Sequence, residues 1–259
     1  MLAYERVGTG EPLVLLHGLA HRRQGWYPVL DRLTDEREVI LVDLPGHGES
    51  PELGPGKPTE TMRKELRLLL DGLGLDRPHV AGNSLGGRLA LELAAEGAAR
   101  SATALSPAGF WNTGAEFAYT RTLFQVVTSL ASRLETRSER IVATKAGRAL
   151  LFSWIYARPH TALPDLALGD YRSMLRALPT IERFIDDSEP LRAAVSPDVP
   201  VTIAWGRRDL VLPLYQSSVA RRRVPHARHL RLPNCGHVPM VDDPALIAKL
   251  LLRGSRPVG

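Results

Sequence analysis

Pro78-His-Val-Ala-Gly82-Asn-Ser84-Leu-Gly86-Gly-Arg-Leu-Ala-Leu-Glu-Leu-Ala-Ala-Glu96 is the stretch whose reading decides the fold. A short apolar strand, Pro78 to Ala81, enters the hexapeptide Gly82 to Gly87, and a strongly helical run follows at once. A serine on so tight a strand-to-helix turn is forced into strained backbone, and Gly82 and Gly86 leave space that neighbouring Cβ atoms would otherwise fill. This is the context a Gly-x-Ser-x-Gly nucleophile elbow requires, with the Ser84 hydroxyl presented above a sheet. The pentapeptide alone arises roughly once in ten chains of this length at average glycine and serine usage, so the flanking strand and helix carry the reading.

Working outward, Leu2 to Arg6 alternates as a strand, Gly8 to Pro12 turns, and Leu13 to Leu16 is a buried apolar strand. Val39 to Val42 is a second one, ending at the turn-rich loop Asp43-Leu-Pro-Gly-His-Gly-Glu-Ser50. Thr59 or Thr61 is placed to cap a helix through about Leu73, with Leu66, Leu69, Leu70 and Leu73 on one face and Gly74 as its stop. Strand signals return at Ala102 to Leu105, Val201 to Trp205 and His229 to Leu232, and a last helix is predicted from Pro244 to about Leu252. Short apolar strands alternating with helices imply an α/β protein with a doubly wound, mostly parallel sheet, whose site lies at the carboxyl ends of the strands.

Between Leu105 and Val201 the sequence changes character. Residues 110 to 184 hold ten of the fifteen aromatic residues, at helical spacings such as Leu123, Val127, Leu130, Leu134 and then Leu150, Leu151, Trp154, Ile155. Pro159, Pro164 and Pro179 divide the stretch into several helices. Residues 110–186 are therefore expected to form a helical cap inserted into a core made of 1–109 and 187–259, with only the Gly-Ser-Arg-Pro-Val-Gly tail disordered. Residues 110 to 184 carry ten basic and six acidic side chains, a surplus that suits either solvated helix faces or attraction of an anionic substrate or surface.

Composition narrows the class. At 259 residues and 44% apolar content the chain can bury one full α/β core. No apolar run approaches the length of a membrane span, so no stable membrane insertion is expected. The start Met1-Leu-Ala-Tyr-Glu-Arg-Val7 lacks the pattern of a secretory signal, and a cytoplasmic location is expected. The lone Cys235 excludes an internal disulfide and reads as a small buried filler. The net charge of +5 comes from 33 basic and 28 acidic residues that are interleaved, with no basic tract or nucleic-acid motif, so no nucleic-acid partner is expected.

Serine at neutral pH is a poor nucleophile and needs a base, which in turn needs an orienting group. Asp209, in Trp205-Gly-Arg-Arg-Asp209-Leu-Val-Leu-Pro213, lies just past a predicted strand and is the best acid candidate. His237, in Pro233-Asn-Cys-Gly-His237-Val-Pro239, follows the next strand and is the best base candidate. Attack on a carbonyl also creates an oxyanion that needs preorganised donors. The N–H of Leu85 is one, and the N–H of Leu19, in His17-Gly-Leu-Ala-His21, is the other. His17 and His47 are alternative bases, although a histidine beside glycine in a turn more often braces the loop. Asp242 and Asp243, ahead of Pro244, read as an N-cap. Trp26, Phe110, Trp111 and Trp154 are candidate walls of an apolar substrate pocket.

The segments His17-Gly18, Asp43 to Ser50, Gly82 to Gly87, Gly206-Arg-Arg-Asp209 and Gly236-His237 together make the chain resemble the small, capped, single-domain members of the α/β-hydrolase-fold family, esterase-like serine hydrolases. The order Ser84, Asp209, His237 is that family's order. Family members usually have one more strand ahead of the segment matching Leu2 to Arg6, so the resemblance implies seven strands here. It implies an ester hydrolase working without cofactor or metal on a fairly apolar small molecule, through an acyl-enzyme on Ser84. Serine at the elbow argues against haloalkane dehalogenases and epoxide hydrolases, which carry aspartate there. Hydrolysis of a carbon–carbon bond in a ring-cleavage product stays open, with Asn83 a weak cue, as do perhydrolase, thioesterase and lyase chemistry. A ligand receptor or scaffold on the same fold is the non-enzyme alternative. Oligomeric state is not legible.

Overall fold

Apolar runs of four to six residues are too short to make stable helices and have no polar face to turn to water, so they pair into a sheet covered on both sides. The computed structural model describes residues 1–187 and 189–256. Its strands are β1 (Tyr4–Val7), β2 (Glu11–Leu16), β3 (Arg37–Val42), β4 (His79–Asn83), β5 (Ser101–Leu105), β6 (Val201–Gly206) and β7 (Arg228–Leu232). They form one seven-stranded sheet in the order β1-β3-β2-β4-β5-β6-β7. Only β1 runs antiparallel to its neighbour, and every other pair is parallel. The chain is thus α/β with a mostly parallel sheet, and the strand number equals the seven expected.

The helices that cross between strands are α1 (Tyr27–Leu30), α2 (Pro58–Gly72), α3 (Leu85–Ala95) and α9 (Gln216–Arg223), while α4 (Gly114–Leu134), α5 (Ser138–Ala143), α6 (Lys145–Phe152), α7 (Pro164–Arg176) and α8 (Leu178–Asp186) all lie between β5 and β6, and α10 (Pro239–Asp242) and α11 (Pro244–Gly254) follow β7. From β2 the chain leaves to β3 on one side and, later, to β4 on the other. The carboxyl ends of β2 and β4, paired Leu16 to Gly82, therefore flank the point where strand order reverses, the usual location of a site in an open α/β sheet.

The core is dense at its centre. Every residue of β4, β5 and β6 is buried, and α3 is buried over nearly its whole circumference from Leu85 to Ala94. Apart from the Arg88–Glu92 ion pair at 2.9 Å its residues are apolar, and α3 packs on both β4 and β5. At the far end, Arg37 donates from Nε to Ser255 Oγ (2.9 Å) and from Nη2 to the Ser255 carbonyl (2.7 Å), and Ser101 Oγ donates to the Gly254 carbonyl (2.8 Å). Gly254 and Ser255 are therefore packed, contrary to the disordered tail expected from their composition. Residues 257–259 of that tail lie outside the described residues.

Two local expectations also change. Helix α2 starts at Pro58 with Lys57 in the capping position, and Thr61 instead donates to the Pro55 carbonyl at 3.0 Å. Proline at the first position needs no cap for its missing N–H, so the threonines lose that role. The predicted stop holds: Gly74 has φ +67° and Leu75 N–H donates to the Leu70 carbonyl at 3.0 Å, closing the helix end. In α4 the buried face is Phe117, Thr120, Phe124 and Ala131, a strip rotated away from the Leu123 to Leu134 series, of which Leu130 is exposed. Helix periodicity fixes the spacing of a stripe, and the neighbours decide which stripe is covered. Among the described residues no helix is long and apolar enough to cross a membrane.

Candidate active site

Ser84 sits between the end of β4 and the first turn of α3 with φ +54°, a left-handed conformation rare for a residue with a Cβ. Such strain costs on the order of 1–3 kcal/mol and persists only where the surroundings over-determine it. Here Ser84 N–H donates to the Leu105 carbonyl (2.9 Å), while its own carbonyl accepts from Arg88 N–H and Ala108 N–H (both 3.0 Å). The glycines act through close approach. A Cβ on Gly82 would overlap the backbone of Gly86 and Gly87, and one on Gly86 would overlap the carbonyls of Leu16 and His17. The elbow is thus pressed directly against the end of β2.

Asp209 lies in the turn after β6 and His237 in the loop after β7. His237 Nδ1 is 2.9 Å from Asp209 Oδ2, and both side chains are buried. The other carboxylate oxygen, Oδ1, accepts from Val211 N–H (2.9 Å) and Leu212 N–H (2.8 Å), which fixes the plane of the group. With a carboxylate as acceptor, Nδ1 carries the ring proton and Nε2 presents a lone pair. Ser84 and His237 line one cavity. Among the described residues Ser84 Oγ makes no hydrogen bond, and such contacts in substrate-free sites commonly tighten only around substrate.

The base candidate is held by residues that the sequence did not mark for it. Asn83 Nδ2 donates to the His237 carbonyl (2.8 Å) and to the Leu105 carbonyl (3.1 Å), so the residue beside the nucleophile also anchors the histidine loop. Asp242, expected at a helix N-cap, does something else: Oδ2 accepts from Gly236 N–H (2.7 Å) and Ala157 N–H (3.0 Å), and Oδ1 from Arg158 N–H (2.7 Å). Burial raises its pKa above the usual carboxylate value even though these bonds pull it back down. Asp243 alone caps α11, accepting from Leu246 N–H at 3.0 Å. Only long-range geometry separates the two acids, since their local sequence contexts are equivalent.

The loop after β2 is braced by two histidines. His17 Nε2 accepts from Leu44 N–H (3.0 Å) and Nδ1 lies 2.8 Å from the Gly18 carbonyl; His47 Nε2 accepts from Ala20 N–H (3.2 Å) and Nδ1 lies 3.0 Å from the Pro45 carbonyl. In each ring both nitrogens are occupied by backbone. Burial holds the pKa of His17 well below that of an ordinary imidazole and pushes His47 down to about 4. Both therefore stay neutral near pH 7. The arrangement leaves Leu19 N–H without an acceptor among the described residues, and Leu85 N–H, at the first position of α3, has no intrahelical acceptor. The buried Cys235 thiol is pushed up to about 12, chiefly by burial, which keeps it protonated and unreactive.

The cavity holds about 30 Å³ and is lined by Gly18, Leu19, Asn83, Ser84, His237 and Val238 from the sheet side, with Phe124, Trp154, Ile155, Asp170 and Met174 from the helical insertion, and Ala20 and His21 from the loop after β2. Of the four aromatic wall candidates only Trp154 is there, edge-on to Phe124 with ring centroids 5.5 Å apart. The other three are core: Trp26 is fully buried away from the cavity, Phe110 packs against Trp205 at 6.2 Å, and Trp111 against Phe117 at 4.7 Å. A larger depression of about 650 Å³ lies between residues 46–53 and α8 and is lined by neither Ser84 nor His237. No group of three His, Cys, Asp or Glu side chains suited to a metal ion occurs among the described residues.

Fold and site geometry together define a class, and comparison with known proteins gives the same one. The family model for the alpha/beta hydrolase fold matches residues 11–244, and the chain belongs to that family as a hydrolase of this fold. Among its relatives, Lipase 3 of Moraxella sp. (strain TA144) is 25% identical over 244 residues, covering 90% of this chain and 74% of the lipase. Lipase 1 of Psychrobacter immobilis is 25% identical over 245 residues, covering 90% and 73%. A thermophilic esterase from Thermogutta terrifontis has the same fold, with a TM-score of 0.74 at 21% identity over 97% of this chain and 92% of the esterase. The enol-lactonase from Burkholderia xenovorans LB400 also does, with a TM-score of 0.75 at 19% identity over 97% and 95%.

Proposed function

We propose that the chain is a cofactor-independent serine hydrolase that cleaves carboxylic esters of fairly apolar small molecules. The observation that carries this reading is that His237, paired at 2.9 Å with the buried Asp209, lines the same cavity as the strained Ser84. Ser84 Oγ attacks the ester carbonyl and passes its proton to His237 Nε2. Asp209 holds the ring through Nδ1 and stabilises the imidazolium that forms. The oxyanion takes the N–H groups of Leu19 and Leu85, each donor worth about 3 kcal/mol in the transition state. His237 then protonates the leaving alcohol, and water, deprotonated by the same nitrogen, releases the acid from the acyl-enzyme. Helices α4 to α8 act as the cap, with Phe124, Trp154, Ile155 and Met174 forming the apolar wall. The lipase names of the relatives favour an ester over the other bonds that this constellation can break.

A fluorophosphonate probe tests the reading directly. The folded protein is expected to be labelled on Ser84 and to hydrolyse p-nitrophenyl esters, with Ser84→Ala losing both while melting at the wild-type temperature. An unlabelled Ser84 in folded protein, or turnover retained in the alanine variant, overturns the mechanism and favours a binding protein on this fold.

A further inference from the structure

Besides Asn83, whose amide anchors the histidine loop, two polar side chains line the cavity without a part in the reaction above: His21, from the loop after β2, and Asp170, from α7. His21 is 5% exposed and Asp170 4%. His21 Nδ1 lies 3.2 Å from the Arg22 carbonyl, and because a carbonyl only accepts, that contact assigns the ring proton to Nδ1. Nε2 then carries a lone pair, and it has no hydrogen-bond partner. Its closest carboxylate oxygen, Asp170 Oδ2, is 3.7 Å away, too far for a direct bond. Asp170 is itself pinned, accepting from Arg22 Nε at Oδ1 (3.1 Å) and from the Tyr156 hydroxyl at Oδ2 (3.2 Å).

The pair is built in place. A Cβ on Gly25 would overlap the imidazole ring of His21, and a Cβ on Gly169 would overlap the guanidinium of Arg22. Ser173 Oγ, also on α7, donates to the His21 carbonyl at 3.2 Å. A buried acceptor left unmet is destabilising, so a rigid ring holding one beside a carboxylate is a site for something that donates. The charges of Arg22 and Asp170 cancel, so the site has no excess charge to attract an ion.

We infer that His21 Nε2 and Asp170 Oδ2 form a receptor for a hydrogen-bond donor on the substrate, a hydroxyl or an uncharged N–H. The inference rests on the ester-hydrolase reading and narrows its substrate class to esters that carry such a donor on the acyl or the alcohol arm. Beside the apolar wall of Phe124, Trp154, Ile155 and Met174, the two acceptors orient the substrate and discriminate against analogues that cannot donate. His21 and Asp170 are specificity-determining residues here and take no part in bond making.

The test compares esters matched in length. On the acyl arm, p-nitrophenyl butanoate, 3-hydroxybutanoate, 3-methoxybutanoate and succinamate are compared; on the alcohol arm, the acetates of butanol, 1,3-butanediol and 3-methoxybutanol, followed by proton release. A donor-bearing ester is expected to exceed both its plain and its methoxy counterpart by about tenfold or more in kcat/KM, mainly through KM, on at least one arm. The preference should fall towards unity in His21→Phe and Asp170→Asn. His21→Gln stands in if the phenylalanine variant does not fold, as judged by its melting curve. Flat ratios on both arms, a methoxy ester as good as the hydroxy ester, or a preference that survives loss of the imidazole overturns the inference alone. Failure to cleave even the plain butanoate or butyl acetate, with no fluorophosphonate adduct, overturns the hydrolase reading and this inference with it.

Discussion

The sheet core and the helical insertion between β5 and β6 use the same residue types under different constraints. In the core, β4, β5 and β6 bury every residue, and the site residues hang from strand ends whose positions the backbone ladder dictates. In the insertion each helix buries one stripe and leaves the rest to solvent, with Val126, Leu130, Leu150 and Leu163 exposed. It meets the core through shared apolar packing and side-chain bonds, among them Arg22 to Asp170, Thr120 to the Val211 carbonyl and Arg183 to the carbonyls of Leu53 and Gly54. A frame that positions the candidate site groups is thus joined to an insertion that supplies walls. Under the proposed hydrolase reading the first carries the chemistry and the second its selectivity.

The largest effect should come from the frame. Asp209→Asn is expected to lower kcat by roughly 10⁴ with a wild-type melting temperature, because the amide favours the wrong tautomer of His237. Steady-state kinetics on any accepted ester check it, and a loss below about tenfold would break the contrast by showing that the orienting acid lies elsewhere. Next, Leu41→Ala, at a fully buried position of β3, should destabilise by about 2–5 kcal/mol in urea denaturation.

A third expectation concerns acid. His17 and His47 are held neutral in core loops with pKa values below that of an unfolded histidine, near 6.5. Between pH 6.5 and about 4 the unfolded chain binds protons that the folded chain refuses, so the stability these rings confer is present above 6.5 and lost as pH falls through that window. For His47 alone the loss is on the order of 3 kcal/mol. Asp242, pushed up by burial, works in the opposite sense, so the informative quantity is the difference between wild type and His47→Gln across melting curves from pH 7 to 4.5. Curves that stay parallel would remove the histidine contribution. The smallest effect is expected at Leu130→Ala in the insertion, within about 0.5 kcal/mol of wild type; a cost comparable to that of Leu41→Ala would mean that α4 is covered by something in solution.

What the sequence revealed follows the same division. Strand periodicity, the glycines of the elbow and the chain order of Ser84, Asp209 and His237 are local or sequential features, and they lead to the seven-stranded sheet and to three residues that converge on one part of the molecule. Contacts made across long stretches of chain left no such trace. Asp242 and Asp243 look alike until the backbone of residues 157 and 158 is brought beside one of them. His21 and Asp170 are 149 positions apart, and nothing near either signals the other. Trp26, Phe110 and Trp111 read as pocket walls in the sequence because large aromatics suit both a pocket and a core, and only packing distinguishes the two uses.

The carboxylate of Asp242 has a wider consequence. By accepting from Gly236, Ala157 and Arg158 at once, it fastens the histidine loop and the middle of the insertion to a single point, reinforced by Val238 N–H on the Ile155 carbonyl at 3.0 Å. Residues 155–158 are therefore the stretch of the insertion that shares its anchor with the histidine loop, whereas α4, α7 and α8 are tied to the core elsewhere, through Thr120, Asp170 and Arg183. A change at Asp242 would reach the histidine loop and the wall residues Trp154 and Ile155 together.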